Sequence, residues 1–235
     1  WGKPSAETAD SAVPAASSEC EVAFFPLSPP GGFIESHRRD ELMPLSVDEL
    51  RSKVEEYRGK GLNSQQIADE LSLSHTTIQW LSSSGVSAED RPNDIQIGWR
   101  SIAVKAGRIE AVSYVFADII DEEIGDEVDA IVGISLNGIA FAQAIAGQMD
   151  LDLSISRSIG EDEGGHLSEV FAGVGGKRVV VIDDVVSSGE TMRKTIRSLR
   201  SGGADVKLCL VLANKTHNNE LEGVPLRGLV RVVTV

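Results

Sequence analysis

The spacing of apolar positions changes several times along the chain, and each change marks a boundary. Residues 1–42 show neither helical nor strand periodicity; they are rich in Ser, Ala, Pro and Glu and contain the breaker cluster PLSPPGG at 26–32. They read as a disordered tail, or as an extension upstream of a native start at Met43, the first methionine. From Ser46 the apolar residues recur every three or four positions. Ser46, Val47, Asp48 and Glu49 have the form of a capping box, and Leu50, Val54 and Tyr57 then share one helical face until Gly59 and Gly61 end it. A second helix fits Ser64–Leu71 with Ile67, Ala68 and Leu71 inward. After the turn Ser72, Leu73, Ser74 a third runs to about Ser83, with Ile78, Trp80 and Leu81 inward. Residues 43–84 are therefore expected to form a small all-α bundle.

Residues 85–94 are polar and read as a linker. Beyond them the period shortens. Residues 129–133, 151–155, 178–182 and 206–213 are apolar runs of strand length bounded by turn residues. Helical spacing separates them, marked by Phe141, Ala144 and Ile145 and then by Met192, Ile196 and Leu199, the latter ending at Gly202 and Gly203. Strand and helix in alternation predict a mainly parallel sheet with helices on both faces, so residues 95–235 are expected to be an α/β domain.

Composition narrows the setting. Of the 235 residues 41% are hydrophobic and 25% charged, enough carbon for a core. No run reaches the ~20 apolar residues of a membrane span and no secretory signal is visible, so a cytoplasmic protein without a membrane partner is expected. Cys20 and Cys209 are the only cysteines and lack metal-site spacing. The net charge of −14 runs against the basic footprint of nucleic-acid binders, while arginine outnumbers lysine 14 to 8. A salt-rich cytoplasm would reconcile the two, because screening there is short-ranged and acidic surfaces stay solvated.

The candidate chemistry concentrates at residues 179–191, VVVIDDVVSSGET. A strand here delivers Asp183 and Asp184 to its end. Ser187, Ser188, Gly189, Glu190 and Thr191 follow, small and hydroxylated residues that let the backbone wrap a phosphate at the start of a helix. Adjacent carboxylates can accept hydrogen bonds from the cis hydroxyls of a ribose, or hold a magnesium ion that arrives on a pyrophosphate. The string resembles, over its full length, the recognition pattern of type I phosphoribosyltransferases. That resemblance implies a type I phosphoribosyltransferase-like fold and a ligand such as phosphoribosyl pyrophosphate. It also implies that the turn Ser135, Leu136, Asn137 and Gly138 takes pyrophosphate, although a structural Asn-Gly turn explains those residues equally well. No tightly bound cofactor is expected, and Mg²⁺ only together with a pyrophosphorylated ligand, through Asp183 and Asp184.

One stretch departs from the enzyme pattern. Orotate-type members of that family are expected to close a cationic loop over the pyrophosphate, whose charge grows in the transition state. The equivalent residues 157–176 carry Glu161, Asp162, Glu163 and Glu169 against Arg157 and His166. An acidic lid works against catalysis, and no catalytic residue is assigned.

Residues 63–84, NSQQIADELSLSHTTIQWLSSS, have the form of a helix-turn-helix. Its second helix would enter the major groove with Ser74, His75, Thr76, Thr77 and Gln79 at base edges, while Gln65 and Gln66 meet phosphate. The bundle is itself acidic, with six acids against four bases between Ser46 and Ser84. A helix-turn-helix joined to a phosphoribosyltransferase-like domain with a weakened lid resembles the archaeal orotate phosphoribosyltransferase-like transcription regulators of the GfcR type, over residues 45–235. The resemblance implies a homodimeric regulator that binds double-stranded DNA and responds to a phosphorylated sugar or nucleotide. The alternative is an active phosphoribosyltransferase, orotate- or purine-type, that also carries a DNA domain.

Overall fold

Ser46 opens the first helix, α1 (Val47–Gly59), through the expected capping box: its hydroxyl accepts from the Glu49 amide, and the Glu49 side chain accepts from the Ser46 amide. In this computed structural model residues 45–83, 92–157 and 166–232 are described. The expected tail at 1–42, most of the linker and the most acidic part of the lid lie outside them. α2 (Ser64–Leu71) carries a second capping box, from Asn63 and Gln66, and ends on Ser72 in the left-handed region at φ 50°. Ser74 then caps α3 (His75–Ser82). Leu50, Val54, Ile67, Ala68, Leu71, Leu73, Ile78 and Leu81 make the bundle core. Trp80 packs at its edge, with the Arg51 guanidinium 5.1 Å above its ring.

Residues 92–99, without regular secondary structure, lead to the short α4 (Arg100–Ala103) and the long α5 (Ala106–Ile124). The α/β part then runs β1 (Ala130–Ile134), α6 (Asn137–Met149), β2 (Asp152–Arg157), β3 (His166–Leu167), β4 (Arg178–Val186), α7 (Glu190–Ser201), β5 (Asp205–Asn214), β6 (Glu220–Leu221) and β7 (Val224–Arg231). The strands order as β3-β2-β1-β4-β5-β7-β6. The five central strands are parallel, and β3 and β6 close the two edges antiparallel. The four strands read from sequence are β1, β2, β4 and β5; the two short edge strands and β7 add to them.

Alternation along the strands divides the core between two faces. Val179 and Val181 join Met192, Ile196 and Leu199 of α7, whereas Val180 and Ile182 join Phe116 and Ile120 of α5 and Phe141 and Ile145 of α6. β5 changes parity midway, with Val206 and Cys209 on one face. The cause is a bulge: Val179 pairs with Val206 but Val180 pairs with Leu208, leaving Lys207 over.

Candidate functional site

β4 runs on past Ile182 to Val186, so Asp183 and Asp184 sit within its last residues rather than after its end. Successive strand residues point to opposite faces, which sends Asp184 toward α6 and the Asp183 side chain the other way. Asp184 is buried. Its Oδ2 accepts from Trp99 Nε1 at 2.9 Å and from Asn137 Nδ2 at 2.9 Å. The Asp183 carboxylate accepts from the amide of Asp184 at 2.9 Å. Burial raises the pKa of both, and their mutual charge adds to the rise at Asp183.

Beyond the pair the chain forms the loop 187–189 and enters α7 at Glu190. Gly189 holds φ 78°, the left-handed conformation that lets a tight loop feed a helix. No side chain caps α7 fully, and the Ser188 hydroxyl only grazes the Glu190 amide at 3.3 Å. The first turn of a 12-residue helix therefore faces the pocket with its amides and the positive end of its dipole.

The second turn, Ser135–Leu136, contains a cis peptide and passes directly into α6. Gly138 is what allows α6 to start so close to β4. A Cβ there would lie 2.4 Å from the Ile182 carbonyl oxygen and 3.0 Å from the Asp183 Cα. That closeness sets Asn137 against Asp184, so this turn and the loop 187–191 face one cavity of about 170 Å³.

The cavity is roofed by the bundle. Gln65, Ala68, Asp69, Ser72, Leu73 and His75 line it opposite the loop. Asn137 Nδ2 also reaches the Asp69 carbonyl at 3.4 Å, and Gln65 Nε2 holds the Asp69 carboxylate at 2.9 Å. Burial pushes the Asp69 pKa up to about 6, with the Asp184 and Glu70 charges adding to the rise against the opposing Gln65 bond.

A second tie crosses a few residues away. The ammonium of Lys215, at the end of β5, meets Asp94 Oδ1 at 2.5 Å, the Ile95 carbonyl at 2.7 Å and the Ser72 carbonyl at 3.3 Å. Both charged side chains are buried, at 6% and 8% exposure. Asp94 in turn accepts from the Ser74 amide and the Thr77 hydroxyl, both at 2.7 Å. Burial alone would raise the Asp94 pKa, but these donors and Lys215 outweigh it and hold the carboxyl below its ordinary value.

These contacts are compatible with more than one chemistry, and comparison with known proteins narrows them. Residues 99–232 match the family model of the phosphoribosyl transferase domain. The transcriptional regulator GfcR of Thermoplasma acidophilum is 42% identical over 193 residues, covering 81% of this chain and 98% of that protein. The transcriptional regulator GfcR of Picrophilus torridus is 37% identical, covering 81% of this chain and 99% of that protein. The chain belongs to the GfcR family of transcriptional regulators. Its fold is also seen in the crystal structure of adenine phosphoribosyltransferase from Thermoanaerobacter pseudethanolicus, at 17% identity and a TM-score of 0.50 over 63% of this chain and 94% of that one.

For a GfcR-family chain the placement of the sequence-derived residues is informative. Asp183, Asp184, Ser187, Ser188, Gly189, Glu190 and Thr191 meet Ser135, Leu136 and Asn137 around the one cavity, with Gly138 as their spacer. The residues expected at DNA divide. Thr76 and Gln79 are exposed. Thr77 is not, and the expectation for it is corrected: it is buried with its hydroxyl on Asp94, out of reach of a base edge in this arrangement. Gln65 and His75 face the cavity, and Ser74 spends its amide on Asp94 and its hydroxyl on the α3 cap. Asp94, which its polar surroundings place in the linker, is a buried partner of Lys215.

Four residues of the site escaped the sequence reading: Trp99, Asp69, Asp94 and Lys215. Only Lys215 left a usable signal, since it stands at the carboxyl end of a parallel strand, where α/β sheets bind their ligands.

Proposed function

We propose that the chain is a DNA-binding transcriptional regulator in which the phosphoribosyltransferase-like domain senses a phosphorylated sugar or nucleotide. One observation carries this reading: the cavity that receives the phosphate loop is walled by the helix-turn-helix itself. A ligand seated on the amides of α7 touches the same small space as Gln65, Asp69 and His75, so its occupancy bears directly on how α2 and α3 are held. Magnesium would come with a pyrophosphorylated ligand through Asp183 and Asp184, its coordination completed by ligand oxygens. A cytoplasmic homodimer fits the expected use of two half-sites about one helical turn apart.

The acidic pair and the phosphate loop favour one competing reading, a working phosphoribosyltransferase. Two assays separate them. Fluorescence anisotropy with promoter DNA, with and without sugar phosphates or phosphoribosyl pyrophosphate, should show DNA binding that the ligand changes. DNA binding indifferent to every ligand in the panel would overturn the sensing mechanism. Steady release of pyrophosphate from phosphoribosyl pyrophosphate with a purine base or orotate would establish the enzyme instead.

A further inference from the structure

The wall supplied by the bundle does more than close the cavity. It brings an acidic residue, Asp69, against the turn where a pyrophosphate would lie. Asn137 Nδ2 bridges Asp184 Oδ2 and the Asp69 carbonyl, at 2.9 and 3.4 Å, so the backbone of α2 rests against the Ser135–Asn137 turn. The Asp69 carboxylate accepts from Gln65 Nε2 on the same helix at 2.9 Å, lines the cavity and is close enough to Asp184 to feel its charge.

The residues around the cavity include Asp69, Asp183, Asp184 and Glu190 as acids and Lys194 as the one lysine or arginine. Such a lining treats the two ends of a phosphorylated sugar differently. A monophosphate fits the amides of α7, and the sugar hydroxyls then donate to the carboxylates. A second phosphoryl group at the far end brings several negative charges against Asp69 and Asp184, in a space where water screens poorly.

We propose that Asp69, contributed by the helix-turn-helix bundle, is the selectivity residue of the phosphate site: with the bundle docked it admits a sugar monophosphate and rejects a pyrophosphorylated sugar. This rests on the phosphate-site reading above and narrows its ligand class. It also gives the helix-turn-helix a direct part in choosing the ligand.

The test is calorimetric titration of the full chain with ribose 5-phosphate and with phosphoribosyl pyrophosphate, each with and without Mg²⁺, on the wild type, Asp69→Asn and Asp69→Ala. Without Mg²⁺ the wild type should bind ribose 5-phosphate more tightly than phosphoribosyl pyrophosphate. Asp69→Asn should tighten phosphoribosyl pyrophosphate about tenfold or more and shift ribose 5-phosphate by less than about threefold, because removing one close like charge affects mainly the doubly phosphorylated end. Asp69→Ala should act in the same direction, which separates charge from the Gln65 bond. If both ligands bind and both variants shift them equally, or leave phosphoribosyl pyrophosphate unchanged, the selectivity role is overturned while the phosphate site stands. If neither ligand binds to any of the three proteins, the phosphate-site reading fails and this inference with it.

Discussion

At the level of single residues, Asp69 is held under two opposed demands. Docking removes it from water and places it near Asp184, both of which favour its neutral form, while Gln65 stabilises the carboxylate. The net result, a pKa of about 6 against an ordinary 3.8, has a definite sign for stability. An acid whose pKa is raised by folding binds more protons in the folded state, so it imposes no penalty at pH below ~4; the penalty grows between ~4 and ~6 and is complete above that. Asp69→Asn should therefore gain stability relative to the wild type as pH rises from 4 to 7. The expected gain is about 1–2 kcal/mol, reduced from the ~3 kcal/mol of the full shift because the side chain is only half-buried. Urea denaturation of both proteins at pH 4, 5, 6 and 7 measures it. A difference that stays constant over that range would mean that Asp69 ionises as an ordinary surface carboxylate. Asp183, Asp184, Glu70, Glu190, Lys194 and His75 share the surroundings, so the difference between the two proteins, not either curve alone, carries the result.

At the level of elements, the decisive contact is the tie from β5 to the turn between α2 and α3. The Lys215 ammonium bonds to atoms of residues 72, 94 and 95, and Asp94 passes the connection to Ser74 and Thr77 at the start of α3. Breaking a buried ion pair from one side leaves the other charge uncompensated, at a typical cost of about 3–5 kcal/mol. Lys215→Met should lose stability of that order, with the loss expressed as release of the bundle. Hydrogen exchange should speed up in α2 and α3 while the central strands β1 and β4 stay protected. Uniform loss of protection across the sheet would instead make Lys215 a part of the sheet's own stability.

The same elements show what sequence alone conveys. Capping residues Ser46, Asn63 and Ser74, and the apolar periods of α1 to α3, β1, β4 and α7, are local signals, so these elements and the loop 187–191 were legible. α5 and β7 were not. α5 lacks a capping hydrogen bond to mark its start, although Ile109, Val112, Phe116 and Ile120 keep a helical period that went unread, and β7 is interrupted by Pro225 and Gly228. The roof of the site was hidden for a different reason. Asp69 and Asn137 are 68 positions apart, and Lys215 lies 143 from Ser72. Nothing in the period of α2 tells which of its polar residues will meet another part of the chain. Thr77 shows the consequence: its position on α3 is that of a base reader, and its partner Asp94 makes it a buried strut.

At the level of the whole molecule, a net charge of −14 limits what DNA binding can draw on. Long-range repulsion from so acidic a chain subtracts from whatever local phosphate contacts the bundle makes, so modest changes in how the bundle is held weigh heavily in the total. If a ligand changes operator affinity by some factor, operator DNA must change ligand affinity by the same factor, because both measure one coupling free energy. Anisotropy titrations of operator with and without saturating ligand should therefore give the same ratio as calorimetric titrations of ligand with and without operator. In Lys215→Met the ratio should shrink toward one in both directions, since the tie that lets the sheet domain hold α2 and α3 is gone. A variant that binds both partners with the wild-type ratio would show that coupling travels by another route, with the Asn137 contact to Asp69 as the next to remove. A variant with unequal ratios in the two directions would point to a third species in the equilibrium, such as a change in dimerisation, and would call for repeating the cycle across protein concentration.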